Sequence, residues 1–89
     1  MSDYQEVKGL RYTRLPQPGE TVFVFHGDTG NNLAVEVWAG PSRDKREVIG
    51  WLQIGIPPKP GAYSAALARF EGLAYAAEAH WRAEGFEVI

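Results

Sequence analysis

The sequence contains no cysteine and no long uninterrupted apolar segment, and both absences restrict what the protein can be. Without thiols, neither disulfide bonds nor thiolate metal sites are available. Charged residues and glycines interrupt the apolar stretches well before the roughly 20 residues that a membrane-spanning helix needs. The N-terminal residues are acidic and polar, unlike those of a signal peptide. We therefore expect a cytoplasmic protein that makes no membrane contact.

The chain also lacks an excess of positive charge. Its nine lysines and arginines are outnumbered by eleven aspartates and glutamates, which gives a net charge of −2. Nucleic-acid-binding domains usually carry a basic excess, so the composition disfavours nucleic acid as a partner, although a local basic patch remains open. Aromatic residues, in contrast, make up 12% of the 89 residues and include three tryptophans. These large side chains can build a core without disulfides.

Three segments have the pattern of β-strands, and one long segment has the pattern of a helix. Residues 21–25 are β-branched or aromatic throughout, and residues 33–39 and 48–56 alternate in hydrophobicity. The proline-rich segment 57–61 ends this region, because proline cannot donate to a strand ladder. From about residue 62 to 84, apolar side chains recur at spacings of three and four, the stripe that a helix buries against a sheet.

These elements predict a single α+β domain over residues 1–89 with two layers. The sheet is an antiparallel meander of three or four strands, and one long C-terminal helix packs on one face (β-β-β-α). Residues 10–15 supply the fourth strand. Residues 86–89 either form a short final strand or pack over the helix end. Residues 1–9 are expected to be flexible, as chain ends usually are.

The alternation within the strands assigns side chains to the two faces of the sheet. The face predicted to meet the helix carries Leu33, Val35, Val37 and Ala39 of one strand and Val48, Leu52, Ile54 and Ile56 of the other. Trp38, Trp51 and Ile49 fall on the other face, where Phe23 and Phe25 are candidates to join them. An exposed apolar patch of this kind usually marks an interface, so we assign these residues to binding.

Two alternatives to an exposed tryptophan face stay open. The N-terminal segment, with Tyr4, Val7, Leu10 and Tyr12, can fold over this face and bury it. The helix can also pack on the tryptophans, with the two faces exchanged.

The loop GPSRDKR, residues 40–46, gathers three of the nine cationic residues. Arg43, Lys45 and Arg46 lie beside the strands that bear the tryptophans. On a protein-binding surface they would set the orientation of the partner, and on a nucleic-acid-binding surface they would contact phosphate while bases stack on the aromatic rings. The alternative is a hairpin loop whose charges simply face water.

The predicted helix has a row of small side chains opposite its apolar stripe. These residues are Ala65, Ala68, Gly72, Ala76 and Ala79. Small side chains permit close approach of another backbone, so this row is a candidate surface for self-association. The alternative is that alanine occurs here only because it is the best helix former.

The stretch HGDTGNN, residues 26–32, has the composition of a hairpin turn. His26 and Asp28 could serve as a base and the residue that orients it, but no further motif completes a catalytic triad. With two histidines, no thiols and scattered acids, the ligand spacings of metal sites are also missing. We therefore assign no catalytic residue, no metal site and no cofactor.

The sequence favours a small non-catalytic binding or accessory protein that acts through protein–protein contacts. It would work as a homodimer or as an inhibitor of a larger partner. The first alternative is a nucleic-acid-binding module that uses the sheet face and the basic loop 43–46. The second is a small enzyme that uses His26 and Asp28.

Overall fold

The computed structural model describes residues 4–29 and 31–89, which form one mixed sheet and one helix. Its elements are β1 (Gln5–Val7), β2 (Leu10–Tyr12), β3 (Thr21–Thr29), β4 (Asn32–Ser42), β5 (Lys45–Gly55), α1 (Ala62–Ala83) and β6 (Glu87–Val88). The six strands lie in the order β1-β2-β5-β4-β3-β6. The α+β class is confirmed, and the sheet is larger than the predicted three or four strands.

The antiparallel meander β3-β4-β5 forms the centre of the sheet. On one side β2 pairs antiparallel with β5, and β1 pairs with β2. On the other side β6 pairs parallel with β3, which makes the sheet mixed. Residues 1–9 were expected to be flexible; within them Gln5–Val7 forms β1, and residues 1–3 lie outside the described part.

The helix lies on the aliphatic face of the sheet, the face that the strand alternation favoured, so the arrangement with the two faces exchanged is wrong. The core between them contains Val22, Val35, Val37, Ala39, Phe70, Ala74, Ala77 and Trp81. At the end of α1, Gly85 adopts the left-handed conformation with φ +100°. The amides of Gly85 and Phe86 donate to the carbonyls of Arg82 and Trp81, the bond pattern of a Schellman cap. In the described part of the chain, no helix is long and apolar enough to cross a membrane.

A β-bulge in β5 overturns the predicted position of Ile49. Ile49 was expected on the tryptophan face and Val48 in the core. In the structure Ile49 is fully buried in the core, and Val48 is 40% exposed. The register shifts here, because Val37 pairs with Gly50 and Trp38 with Val48. The extra residue reverses the alternation N-terminal to the bulge, so Ile49 cannot contribute to a binding surface.

A cluster of one arginine and two glutamates, Arg14, Glu20 and Glu47, fixes the segment that follows β2. The Arg14 guanidinium donates to both carboxylate oxygens of Glu20, at 2.8 and 3.0 Å, and to Glu47 at 2.7 Å. The hydrogen bond from Arg14 holds the pKa of Glu20 below its ordinary value. Because Glu47 belongs to β5, the cluster ties the loop between β2 and β3 to the sheet.

This cluster predicts a loss of stability in acid. Glu20 has a lower pKa in the folded state than in the unfolded state. Its contribution to the free energy of unfolding is therefore complete when the pH lies above the unfolded pKa of about 4.3. The contribution disappears as the pH falls through the folded value. We expect Glu20→Gln to cost about 1 kcal/mol in the free energy of unfolding at neutral pH, and less as the pH falls. Urea titrations from neutral pH to about pH 3 measure this, and a constant cost over that range would contradict it.

Candidate functional site

The face of the sheet opposite the helix carries aromatic and apolar side chains in three cross-strand rows. Each row takes one residue from β3, one from β4 and one from β5. The rows are Phe23–Trp38–Val48, Phe25–Glu36–Trp51 and Gly27–Ala34–Gln53. Facing residues in neighbouring strands have Cβ atoms about 5 Å apart, so side chains within a row are in reach of one another. We call this surface the outer face.

The side chain of Arg46 covers the aromatic rings at one end of the outer face. Its guanidinium carbon lies 4.9 Å from the ring centre of Phe23, 5.0 Å from that of Phe25 and 5.2 Å from that of Trp38. A guanidinium over ring faces is held by cation–π attraction. Phe23 is only 1% exposed although the helix packs on the opposite face. The arginine side chain therefore covers the rings of this aromatic cluster.

Trp51 forms the other part of the outer face and contacts Tyr4, whose ring meets it edge-on at 5.6 Å between ring centres. Among the described residues of the N-terminal segment, three that were candidates to cover this face lie elsewhere. Val7, Leu10 and Tyr12 instead pack into the core on the helix side. The N-terminal strands thus widen the sheet, and Trp38 and Trp51 both remain half-buried.

Two shallow depressions meet at Glu36 in the middle row. One has a volume of about 230 Å³ and is lined by Ala34, Glu36, Val48, Trp51, Leu52 and Gln53. The other has a volume of about 400 Å³ and is lined by Phe25, His26, Gly27, Ala34, Glu36 and Gln53. The Glu36 carboxylate accepts a hydrogen bond from Trp38 Nε1 at 3.4 Å. The depressions are lined by both apolar and polar side chains, and the exposed Glu36 carboxylate lies where they meet.

The three cations of loop 40–46 have different environments. Arg43 and Lys45 are exposed at the tip of the β4-β5 hairpin, whereas Arg46 is half-buried over the aromatic rings. The loop is shorter than predicted, because β4 runs to Ser42 and β5 begins at Lys45. The contact of Arg46 with β3 joins residues far apart in sequence, so no local pattern signals it. Strand alternation did not place Val48 on the outer face. Gly50 was the available signal, because a glycine inside a strand often marks a bulge.

The row of small side chains on α1 faces away from the sheet. Ala65, Ala68, Gly72, Ala76 and Ala79 are all exposed. Tyr75, on the same helix, is 61% exposed. The row is accessible, and nothing else in the described residues indicates what covers it.

His26 and Asp28 lie near the end of β3, which extends through most of the predicted turn. The Tyr63 hydroxyl donates a hydrogen bond of 2.7 Å to Asp28, which raises the pKa of Tyr63. Among the described residues, no hydrogen bond joins His26 to Asp28. The structure therefore links Asp28 to the start of the helix rather than to the histidine.

Within residues 4–29 and 31–89, no group of three or more histidine or acidic side chains is placed to hold a metal ion. Comparisons with protein-family models, with curated proteins and with solved structures gave no match.

Proposed function

We propose that the protein is a small non-catalytic binding protein whose outer face docks onto a protein partner. The observation that carries this proposal is the half-buried pair Trp38 and Trp51 beside Glu36: Trp51 lines one depression, and Trp38 donates a hydrogen bond to the Glu36 carboxylate. Phe25 and Val48 extend this patch with 43% and 40% exposure. Large aromatic side chains next to a pocket are the usual anchors of protein interfaces.

The chemistry of the outer face favours a particular kind of partner. An apolar side chain of the partner fits the depression beside Trp51 and Val48, and a neighbouring lysine or arginine pairs with Glu36. Arg43 and Lys45, exposed at the hairpin tip, attract acidic groups at the edge of the contact and orient the partner. Such a protein acts as an accessory subunit or as an inhibitor that covers a surface of its partner.

Nucleic acid is the weaker candidate because Arg46 already occupies the ring faces on which bases would stack. A base would have to displace the guanidinium from Phe25 and Trp38, and the net charge of −2 opposes phosphate binding. Binding to nucleic acid would lose affinity steeply as salt rises. A docking surface built on apolar anchors is much less sensitive to salt.

Val48→Glu tests the outer face directly. Val48 is 40% exposed, so glutamate is tolerated in the fold but places a charge in the contact. Tagged protein is recovered from its native cells after cross-linking, and proteins are quantified by mass spectrometry. Ala76→Glu, at an exposed position on the helix, is the matched control.

We expect one protein to be recovered with the parent chain and with Ala76→Glu, and to be lost with Val48→Glu. With the purified partner, Trp51→Ala should weaken binding by about 30-fold or more, since an anchor residue contributes at least about 2 kcal/mol. Equal recovery with both glutamate variants would refute the proposal. Recovery that disappears after nuclease treatment would support the nucleic-acid alternative.

A further inference from the structure

Part of one sheet edge has no strand beside it. The short strand β6 pairs with β3 only at Thr21 and Val22. Ile89 extends this pairing by donating to the Val22 carbonyl at 2.9 Å and accepting from the Val24 amide at 3.4 Å. Beyond Val24, no backbone hydrogen bond reaches this side of β3 within the described residues.

The direction of the backbone groups on this open edge follows from the same hydrogen bonds. The Val22 carbonyl and the Val24 amide point away from β4. Because backbone groups alternate in direction along a strand, the N–H and C=O groups of His26 and Asp28 point to the open edge as well. Those of Phe25 and Gly27 point to β4.

The open edge of β3, residues 25–29, carries one charged side chain, that of Asp28, whose carboxylate already accepts a hydrogen bond from Tyr63. It has no lysine and no proline, which are the common blocking residues. On the other side of the sheet, the part of β5 beyond Trp51 has no β2 residue paired with it and ends at Gly55, two residues before Pro57. Proline therefore limits strand addition beside β5, and no such residue stands in the open edge of β3.

We propose that a second copy of this chain pairs with β3 through this edge, antiparallel, with Gly27 on the two-fold axis. In this register His26 of each copy faces Asp28 of the other copy, so the dimer contains two such pairs. All four of these residues present outward-pointing backbone groups, so they form the hydrogen-bonded pairs of an antiparallel ladder. The imidazole can donate to the carboxylate, which has the capacity to accept this bond in addition to that from Tyr63. The proposed contact uses β3 of each copy and no other described segment.

Gly27 suits the position on the axis. Facing residues of a non-hydrogen-bonded pair approach to about 4.5 Å between Cα atoms, and glycine puts no side chain there. The pairing joins two sheets into one and sets the two outer faces side by side. It does not depend on the proposed function of those faces.

Gly27→Cys tests the register. The chain has no cysteine, so any disulfide formed joins two copies. A Cβ at Gly27 meets no atom within 4 Å, and the same is true at Gly72 on the exposed helix row. Both variants are oxidised mildly and separated on a non-reducing gel. We expect Gly27→Cys to give a disulfide dimer and Gly72→Cys to stay monomeric.

A second pair of variants tests the ladder by sedimentation. His26→Pro removes an N–H that points to the open edge and leaves the bonds to β4, so it should raise the dimer dissociation constant at least about tenfold. His26→Ala keeps the N–H and should raise it by no more than about fivefold. A parent chain that stays monomeric at the highest soluble concentration, or a Gly27→Cys variant that does not cross-link, overturns the proposal. Cross-linking of Gly72→Cys instead would assign the dimer to the helix row.

Discussion

Replacing Gly40 by alanine is expected to cost about 3 kcal/mol or more in the free energy of unfolding. A Cβ at this position would overlap the carbonyl oxygen of Lys45 and lie 2.6 Å from the Cα of Arg46. These are backbone atoms of the facing strand, and they cannot rotate away as a side chain can. The β4-β5 hairpin would have to open for the methyl group to fit.

The expected cost is large against the total stability of such a chain. At about 0.05–0.15 kcal/mol per residue, the whole protein is stable by roughly 5–13 kcal/mol. The hairpin also carries Arg46, so opening it would move the guanidinium away from Phe23 and Trp38. We therefore expect a shift in tryptophan emission of the folded state together with the lower urea midpoint.

Gly72→Ala is the matched control for Gly40→Ala. It makes the same change at an exposed helix position where a Cβ meets no atom within 4 Å. Alanine is the better helix former by about 1 kcal/mol, so this variant should be more stable than the parent chain. A Gly40→Ala variant as stable as the parent chain would contradict the close approach of the two strands.

The helix and the three central strands were predictable because their signals are local. The stripe on α1 contains Phe70, Ala74, Ala77 and Trp81, and all four are buried. Strand alternation also placed Val35 and Val37 under the helix. The outer strands β1, β2 and β6 are only two or three residues long. Their pairing depends on contacts between distant parts of the chain, so the sequence indicated β2 and left the β6 segment open.

The candidate site was only partly predictable for a related physical reason. Alternation held through Trp38 and Trp51, which lie away from the helix. It failed between Val48 and Ile49, where one extra residue reverses the phase of the strand. The position of Arg46 over three rings also depends on the curvature of the hairpin, which no spacing in the sequence reports. Whether this surface binds a partner stays a prediction until the variants are measured.

Trp81→Ala is expected to cost about 3–5 kcal/mol, as truncation of a large buried aromatic residue usually does. Trp81 is 4% exposed and joins three parts of the fold. Its ring meets that of Tyr12 in β2 at 5.5 Å and that of Phe86 after the helix at 5.9 Å. Its Nε1–H donates a buried hydrogen bond of 3.0 Å to the Tyr12 hydroxyl.

The position of Tyr12 explains why this single bond matters. A Cβ at Gly50 would lie 2.6 Å from the Tyr12 ring, so the absence of a side chain there lets the ring lie flat against β5. Tyr12→Phe keeps the ring but leaves the Trp81 N–H without its acceptor, which should cost about 1–3 kcal/mol.

A double-mutant cycle separates the hydrogen bond from the packing. Trp81→Phe removes the donor and keeps an aromatic ring, so Tyr12→Phe should cost about 1 kcal/mol less in that background than in the parent chain. The four free energies of unfolding come from urea denaturation followed by circular dichroism. Equal costs of Tyr12→Phe in both backgrounds would mean that ring packing alone attaches β2 to the helix. A coupling of the expected size would instead mean that this buried polar pair helps to hold the N-terminal strands, and with them Tyr4, at the edge of the outer face.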